Sequence, residues 1–562
     1  MTVTAAPPRR LPPRRPSAWL VTAFALALLL ALPVATVFSF VLQPADAVWR
    51  HLVDTVLGDY IVHSLVLLVG VGSGVLVIGV GCAWLTSACH FPGRRLFEWA
   101  LLLPLAMPAY IIAYTYTGLL DFAGPVQTAL RAWFGWSFGD YWFPPIRSLG
   151  GAVAMLMLVL YPYVYMLART AFLEQSVSAL EVSRSLGNGP WRGFARVALP
   201  LARPAIIAGL ALALMETLAD YGTVQYFGVS TFTTGIFRTW YGLGDSAAAA
   251  QLAAALLCAV FILFALEHYS RRRARYHHTG HRQPSPSRYR LRGIRAALAW
   301  LACLLPLLLG FLVPVAQLLR WSWFSAGHML DVGFARIAGQ TLGLALAAAL
   351  LTLLLALVLG YGRRLHPGPA MSWAVRVAGI GYAVPGAVIA VGVMLPFAAL
   401  DNAVDGWLRA RFGVASGLLL SGTLFAVLFA YAVRFLAVAL QTVEAGLGRI
   451  KPSMDDAGRS LGLTPGGVLQ RIHLPLLRGS LLTALLLVFV DVLKELPATL
   501  ILRPFNFNTL AVRTFELASD ERLADAAPSA LAIVLVGLLP VLLLSRAIAR
   551  GRAERSETDH AA

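Results

Sequence analysis

Long apolar runs recur along the whole chain of 562 residues, and they limit its possible folds more than any other feature. A helix needs roughly 20 predominantly apolar residues to cross about 30 Å of hydrocarbon, because each residue rises about 1.5 Å. Twelve runs of that kind fall near 18–42, 62–87, 97–119, 149–171, 200–219, 247–267, 294–319, 338–361, 372–398, 416–439, 479–498 and 528–547. Hydrophobic residues make up 59% of the chain, charged residues 13%, and mean hydropathy is +0.73, which lies outside the soluble globular range. The expected fold class is all-α: a polytopic membrane protein of about 12 transmembrane helices. The first run follows RRLPPRRP and exceeds the roughly 7–15 apolar residues of a cleavable signal, so it is expected to remain as a span.

A cytoplasmic N-terminus and twelve crossings place 90–97, 172–200, 268–294, 362–371, 440–478 and 546–562 on the cytoplasmic side. Most of the 45 Lys and Arg lie in these segments, in the N-terminal tail and at their membrane borders, as the positive-inside bias requires. The net charge of +18 is then mainly an orientation signal. Nucleic-acid binding would need a basic soluble face with groove-reading or aromatic elements, and the sequence offers none. Membrane lipid is the expected surrounding. Cys82, Cys89, Cys258 and Cys303 fall in or beside apolar runs without metal-type spacing and read as small core residues. His277, His278 and His281 read as part of a solvated basic linker, and no metal site is expected.

The chain repeats itself. SRRRARYHHTGHRQPSPSRYRLRGIR, from Ser270 to Arg295, separates two blocks of six runs, giving expected boundaries of 1–269, a cytoplasmic linker at 270–294, and 295–562. LEVSRSLGNGPWRGFARVALPLARPAI, from Leu180, matches DDAGRSLGLTPGGVLQRIHLPLLRGSL, from Asp455, at a constant offset of 275. The same offset pairs Thr234 with Thr509, Arg238 with Arg513 and Thr239 with Thr514. An even number of spans per block gives both copies one orientation and relates them by an axis along the membrane normal. In the repeated loop, Gly187 is placed to end a short helix in left-handed conformation. Pro452 suits a helix first turn, and Asp455 and Asp456 suit its positive end.

Glu181-Val182-Ser183, Gly187 and Leu199-Pro200, repeated as Asp456-Ala457-Gly458, Gly462 and Leu474-Pro475, resemble the EAA loop of bacterial binding-protein-dependent ABC importer permeases. The resemblance implies that Glu181, Gly187 and Pro200, and Asp456, Gly462 and Pro475, belong to two coupling loops that engage an ATPase subunit, present in two copies. It also implies a periplasmic substrate-binding protein and a bacterial inner-membrane location with both termini cytoplasmic. Val182, Ser183, Asp456 and Gly458 depart from the pattern while keeping a short helix with an acidic start. Lys451 and Lys494 are the only lysines and neither sits in a phosphate-binding G-x-x-x-x-G-K-[ST] loop. The chain is therefore expected to be a transport subunit without enzymatic activity or bound cofactor, with ATP and Mg used by the partner. A secondary transporter of the major facilitator type, also six plus six spans, is the competing reading, drawn from PGRR at 92–95 and GRRLHPG at 362–368.

FVDVLKELPATLILRPFNFNTLAVRTFELASDERL, 489–523, resembles fused double-block ferric iron permeases, whereas thiamine and polyamine permeases remain as alternatives. Asp491 and Glu495, four apart, are expected on one face in the outer half of the eleventh run, with Lys494 able to pair with Asp491. Their counterparts are Glu216 and Asp220. Intramembrane ionisable groups are costly and usually face a cavity or a partner. Two readings stand: these acids ring a cation pathway, with Tyr221 or Tyr226 adding phenolate, or Asp491, Lys494 and Glu495 close helix ends and orient Pro497. Arg238 and Arg513 are candidate docking residues for the two lobes of a binding protein, or else markers of the membrane border.

Overall fold

The computed structural model describes residues 18–44, 47–174, 189–272 and 288–560, with the side chains of 174, 190, 270–272 and 543–560 excepted. The loop at 177–187, with Glu181 and Gly187, lies outside the described residues, as do His277, His278 and His281. Among those described, eleven helices are long and apolar enough to cross a membrane. Numbered as spans, they are 1, Ala18–Leu42; 2, Leu57–Ala88; 4, Leu149–Leu173; 5, Trp191–Ala219; 6, Ser246–Tyr269; 7, Ile294–Met329; 8, Val332–Leu365; 9, Gly386–Phe412; 10, Leu424–Gly448; 11, Pro465–Leu493; and 12, Leu523–Leu542. The protein is all-helical and polytopic. Its two described strands, Cys89–His90 and Tyr289–Arg290, pair in parallel and join the end of the linker to the end of span 2.

Two expected spans are not continuous helices. The third is a pair, Arg94–Ala106 and Ala109–Phe134, bent by 92°. Pro108 lacks an N–H and excludes its predecessor from the helical region, so Met107 is extended at φ −97°, ψ 111°. The run at 372–398 divides in the same way. Helix Pro369–Ala378 and a 3-10 turn, Ile380–Ala383, precede extended Val384 and Pro385, and the crossing helix starts only at Gly386. Both halves thus use one device, a short helix, a 3-10 turn, a proline and a further helix.

Spans 5 and 11 begin earlier than 200 and 479. In each, a five-residue π-turn, Phe194–Ala198 or Leu469–His473, leads into a helix with Pro200 or Pro475 in its first turn. The proline cannot donate to the preceding turn, and a locally widened turn removes that demand.

Close packing follows small residues, since in lipid only contact and hydrogen bonding hold helices together. Span 2 turns Gly70, Gly74 and Gly79 toward Val153, Met157 and Val164 of span 4, where added Cβ atoms would lie 2.9, 2.6 and 2.7 Å from the facing side chains. Span 1 crosses into the second half and packs on span 9 and on helix Pro369–Ala378. At that crossing a Cβ on Gly392 would come within 2.8 Å of the Pro33 carbonyl carbon.

Candidate functional site: an acid-lined cavity between the halves

Span 5 stops at Ala219, Asp220 turns extended, and a short helix, Gly222–Tyr226, follows. Span 11 likewise stops at Leu493 and resumes as Pro497–Leu502. Glu495 therefore does not share a helical face with Asp491, as four-residue spacing predicted; the helix ends between them. In each half the second acid caps the short helix instead. Asp220 accepts hydrogen bonds from the Thr223 and Val224 amides, each at 3.1 Å, and from the Thr223 hydroxyl at 3.0 Å. Glu495 accepts from the Ala498 amide at 3.2 Å. A carboxylate at a helix start satisfies otherwise unpaired amides.

The two breaks meet. A Cβ on Gly222 would lie 2.7 Å from Tyr110 Cβ and 3.0 Å from Leu496 Cδ2, so this position in the first half has room only for glycine. Around the breaks is a cavity of about 150 Å³, lined by Glu216, Asp220, Asp491, Lys494 and Glu495 together with Tyr110, Tyr163, Tyr382 and Arg434. Lys494 Nζ lies 2.8 Å from Asp491 Oδ1, and Arg434 Nε lies 3.2 Å from Glu495 Oε2. Four carboxylates thus face two cations, a net acidic lining. Among the described residues no three His, Cys, Asp or Glu side chains gather into a set that could hold a metal, so the acids line the space without forming a coordination sphere. Tyr221 lines the cavity and stacks on Phe237 at 3.8 Å, whereas Tyr226 lies beneath Arg147 at 5.3 Å and is not part of the lining.

Sequence reasoning missed Arg434, Tyr163 and Tyr382. The arginine had a signal, as a lone cation within AVLFAYAVRFLAVAL. Its counterpart at the offset of 275 is Val159, so a search for matched pairs passes over it.

At the linker end, Pro452–Ser460 is a helix with Pro452 in its first turn. Gly462 takes φ +81°, its amide donates to the Arg459 carbonyl at 2.9 Å, and the Leu463 amide donates to Gly458 at 3.0 Å, which closes the helix end. The adjacent acids diverge: the Asp456 side chain is 75% exposed, that of Asp455 11%. Burial pushes the Asp455 carboxyl up, but hydrogen bonds from Arg364 and His473 outweigh it and hold the group below the usual carboxylate range. The anchor therefore keeps its charge at neutral pH and is lost only as pH falls through that lowered value.

At the opposite end, Arg238 is exposed and donates to Ser230 Oγ at 3.0 Å. Arg513 is half-buried, its guanidinium 5.8 Å from the Phe334 ring centre. This end holds a further repeat that sequence reading overlooked. LRAWFG at 130–135 and LRARFG at 408–413 each end a helix on a left-handed glycine, Gly135 at φ +66° and Gly413 at φ +68°.

Two similar halves built from broken spans around a charged cavity define a polytopic membrane permease. Residues 75–276 match the model of the binding-protein-dependent transport system inner membrane components. The chain is 27% identical over 549 residues to the Fe(3+)-transport system permease protein FbpB 2 of Haemophilus influenzae, covering 95% of this chain and 99% of that one. The molybdenum transport system permease protein ModB of Escherichia coli is 32% identical over 152 residues, 27% of this chain and 63% of that protein. The sulfate transport system permease protein CysT of Escherichia coli is 28% identical over 205 residues, 36% and 70% of the two chains. In this family the membrane component is not an enzyme and the ATPase is a separate chain.

Proposed function

We propose that this chain is the membrane-spanning subunit of an ATP-driven importer that takes ferric iron from a periplasmic binding protein. The observation that carries the substrate is the end-to-end similarity to an Fe(3+) permease of the same fused form, whereas the molybdenum and sulfate permeases match shorter stretches. The cavity agrees with it: four carboxylates against two cations suit a cation better than an oxyanion. The halves are 1–269 and 295–562, joined by the linker at 270–294. The linker end faces the cytoplasm, as its basic residues favour, and both termini lie there, in a bacterial inner membrane.

Two copies of an ATPase engage the loops at 177–187 and 452–462, where Glu181, Gly187 and Pro200, and Asp456, Gly462 and Pro475, shape the contact. ATP binding by that partner favours the state in which it grips both helices closely. Differential contact of this kind is the only means by which a ligand moves a conformational equilibrium. The cavity would then pass the ion from the binding-protein side to the cytoplasm, with Glu216, Asp220, Asp491 and Glu495 supplying oxygen and Lys494 and Arg434 as internal counter-ions.

Uptake of labelled ferric iron into proteoliposomes holding the permease, its ATPase and binding protein tests this. Uptake should require ATP, and Glu216→Gln with Asp491→Asn should lower it about tenfold, the equivalent of ~1.4 kcal/mol. Unchanged uptake with normal protein levels would remove the acids from the pathway, and ATP-driven uptake of thiamine or a polyamine alone would discard iron. Arg238→Glu should weaken binding-protein stimulation of the ATPase severalfold, as loss of about 1 kcal/mol from a rim charge would. A stimulation curve that overlays the unmodified one removes the docking role.

A further inference from the structure

We propose that Asp455 is the positioning residue that transmits movement of the coupling helix to the cavity. The inference rests on the ATPase-coupling reading of helix Pro452–Ser460.

The two adjacent acids of that helix face different ways. Asp456 points to solvent, where a partner can reach it, while Asp455 turns inward onto two elements at once. Arg364, at the end of span 8, donates to both of its oxygens, from Nε at 2.8 Å and Nη2 at 3.0 Å. His473 Nε2, in the π-turn of span 11, lies 2.8 Å from Oδ1, and this imidazole is fully buried. Arg364 extends the joint further, donating to the carbonyls of Leu447 at 2.5 Å and Ile450 at 2.9 Å and so closing the end of span 10. One carboxylate thereby connects the coupling helix to spans 8, 10 and 11.

Arg434 of span 10 pairs with Glu495, which follows the end of span 11 by two residues, an ion pair that joins the two elements at the cavity. From Leu447 back to Arg434 is about 20 Å of helix, and from His473 forward to Asp491 about 27 Å. Each is continuous helix, so displacement at one end is carried to the other. A tilt of the coupling helix that shifts span 11 against span 10 would then change the Arg434–Glu495 distance, and with it the charge presented to the ion.

The sequence repeat does not carry the same residues in the first half. At the offset of 275 the positions of Asp455 and His473 are held by Leu180 and Ala198. The buried ion cluster of that half lies elsewhere at the linker end, with Glu98 between Arg94 and Arg169, tying a short helix to span 4.

The test uses the assembled transporter in proteoliposomes, reading ATPase retention, ATP hydrolysis and iron moved per ATP. Asp455→Asn and Arg364→Met should retain the ATPase and hydrolyse ATP, yet move about tenfold less iron per ATP. Their combination should be no worse than either alone, as expected for residues of one link. His473→Gln, which keeps a donor nitrogen, should recover coupling that His473→Leu loses. Should Asp455→Asn not assemble, His473→Leu keeps the Arg364 bridge and carries the same comparison. Unchanged iron per ATP in a folded variant overturns the proposal, and so does loss of ATPase retention on Asp455→Asn, which would make it a docking residue. An Asp456→Arg variant that still retains the ATPase would instead overturn the coupling-helix reading itself.

Discussion

Glu495→Gln is expected to remove most of the folded permease from the membrane. Arg434 and Glu495 have side chains only 12% and 5% exposed, and Arg434 Nη1 already lacks a hydrogen-bond partner. Neutralising the carboxylate would leave the guanidinium buried with no facing charge at this distance. Breaking a buried pair from one side typically costs about 3–5 kcal/mol, more than the loss of the attraction alone, because the remaining charge keeps its desolvation penalty. Removing both charges avoids that penalty. Arg434→Met with Glu495→Leu should therefore restore a monodisperse, thermally stable protein while transport stays low. The measurement is the thermal midpoint and yield of detergent-solubilised protein for the two single variants and the double. A Glu495→Gln protein as stable as the unmodified one would show that the pair contributes nothing to the fold.

The second large effect is expected at Gly392. Its Cα faces the backbone of Pro33 in span 1, and an added Cβ would sit within 2.8 Å of the carbonyl carbon and 2.9 Å of the Cα. Backbone on both sides leaves no flexible side chain to move aside. Gly392→Val must then separate spans 1 and 9, at a cost of about 1–3 kcal/mol or more for overpacking. Because span 1 belongs to the first half and span 9 to the second, the damage would fall on the contact between halves. A sharp fall in membrane-inserted, protease-resistant protein is expected, and an undiminished level would mean that the crossing is not tightly held.

The number of spans was legible in the sequence because it depends on length and hydropathy alone. Broken spans were not. Averaged hydropathy is blind to the missing N–H of Pro108 and Pro385, which decides where the helices stop. The cavity acids were legible as a set, since charges within apolar runs stand out, but the geometry first given for them was wrong. Spacing of four puts Asp491 and Glu495 on one face only if the helix continues, and it ends at Leu493. Arg434 escaped because symmetry guided the search, and the LRAxFG pair escaped because its offset is 278, not 275. Loop lengths shift the register between the halves wherever packing does not hold it.

The unequal halves also bear on subunit stoichiometry. Glu216 and Asp220 come from the first half, and Asp491, Glu495, Arg434 and Lys494 from the second. A homodimer of first halves would surround the cavity with four acids and no counter-ion, while a homodimer of second halves would balance four acids with four cations. Only the mixed pair leaves a lining that is acidic yet partly neutralised. By covalent fusion the chain allows only that heterodimeric arrangement, so each translated molecule carries the same cavity charge without depending on partner choice or relative expression.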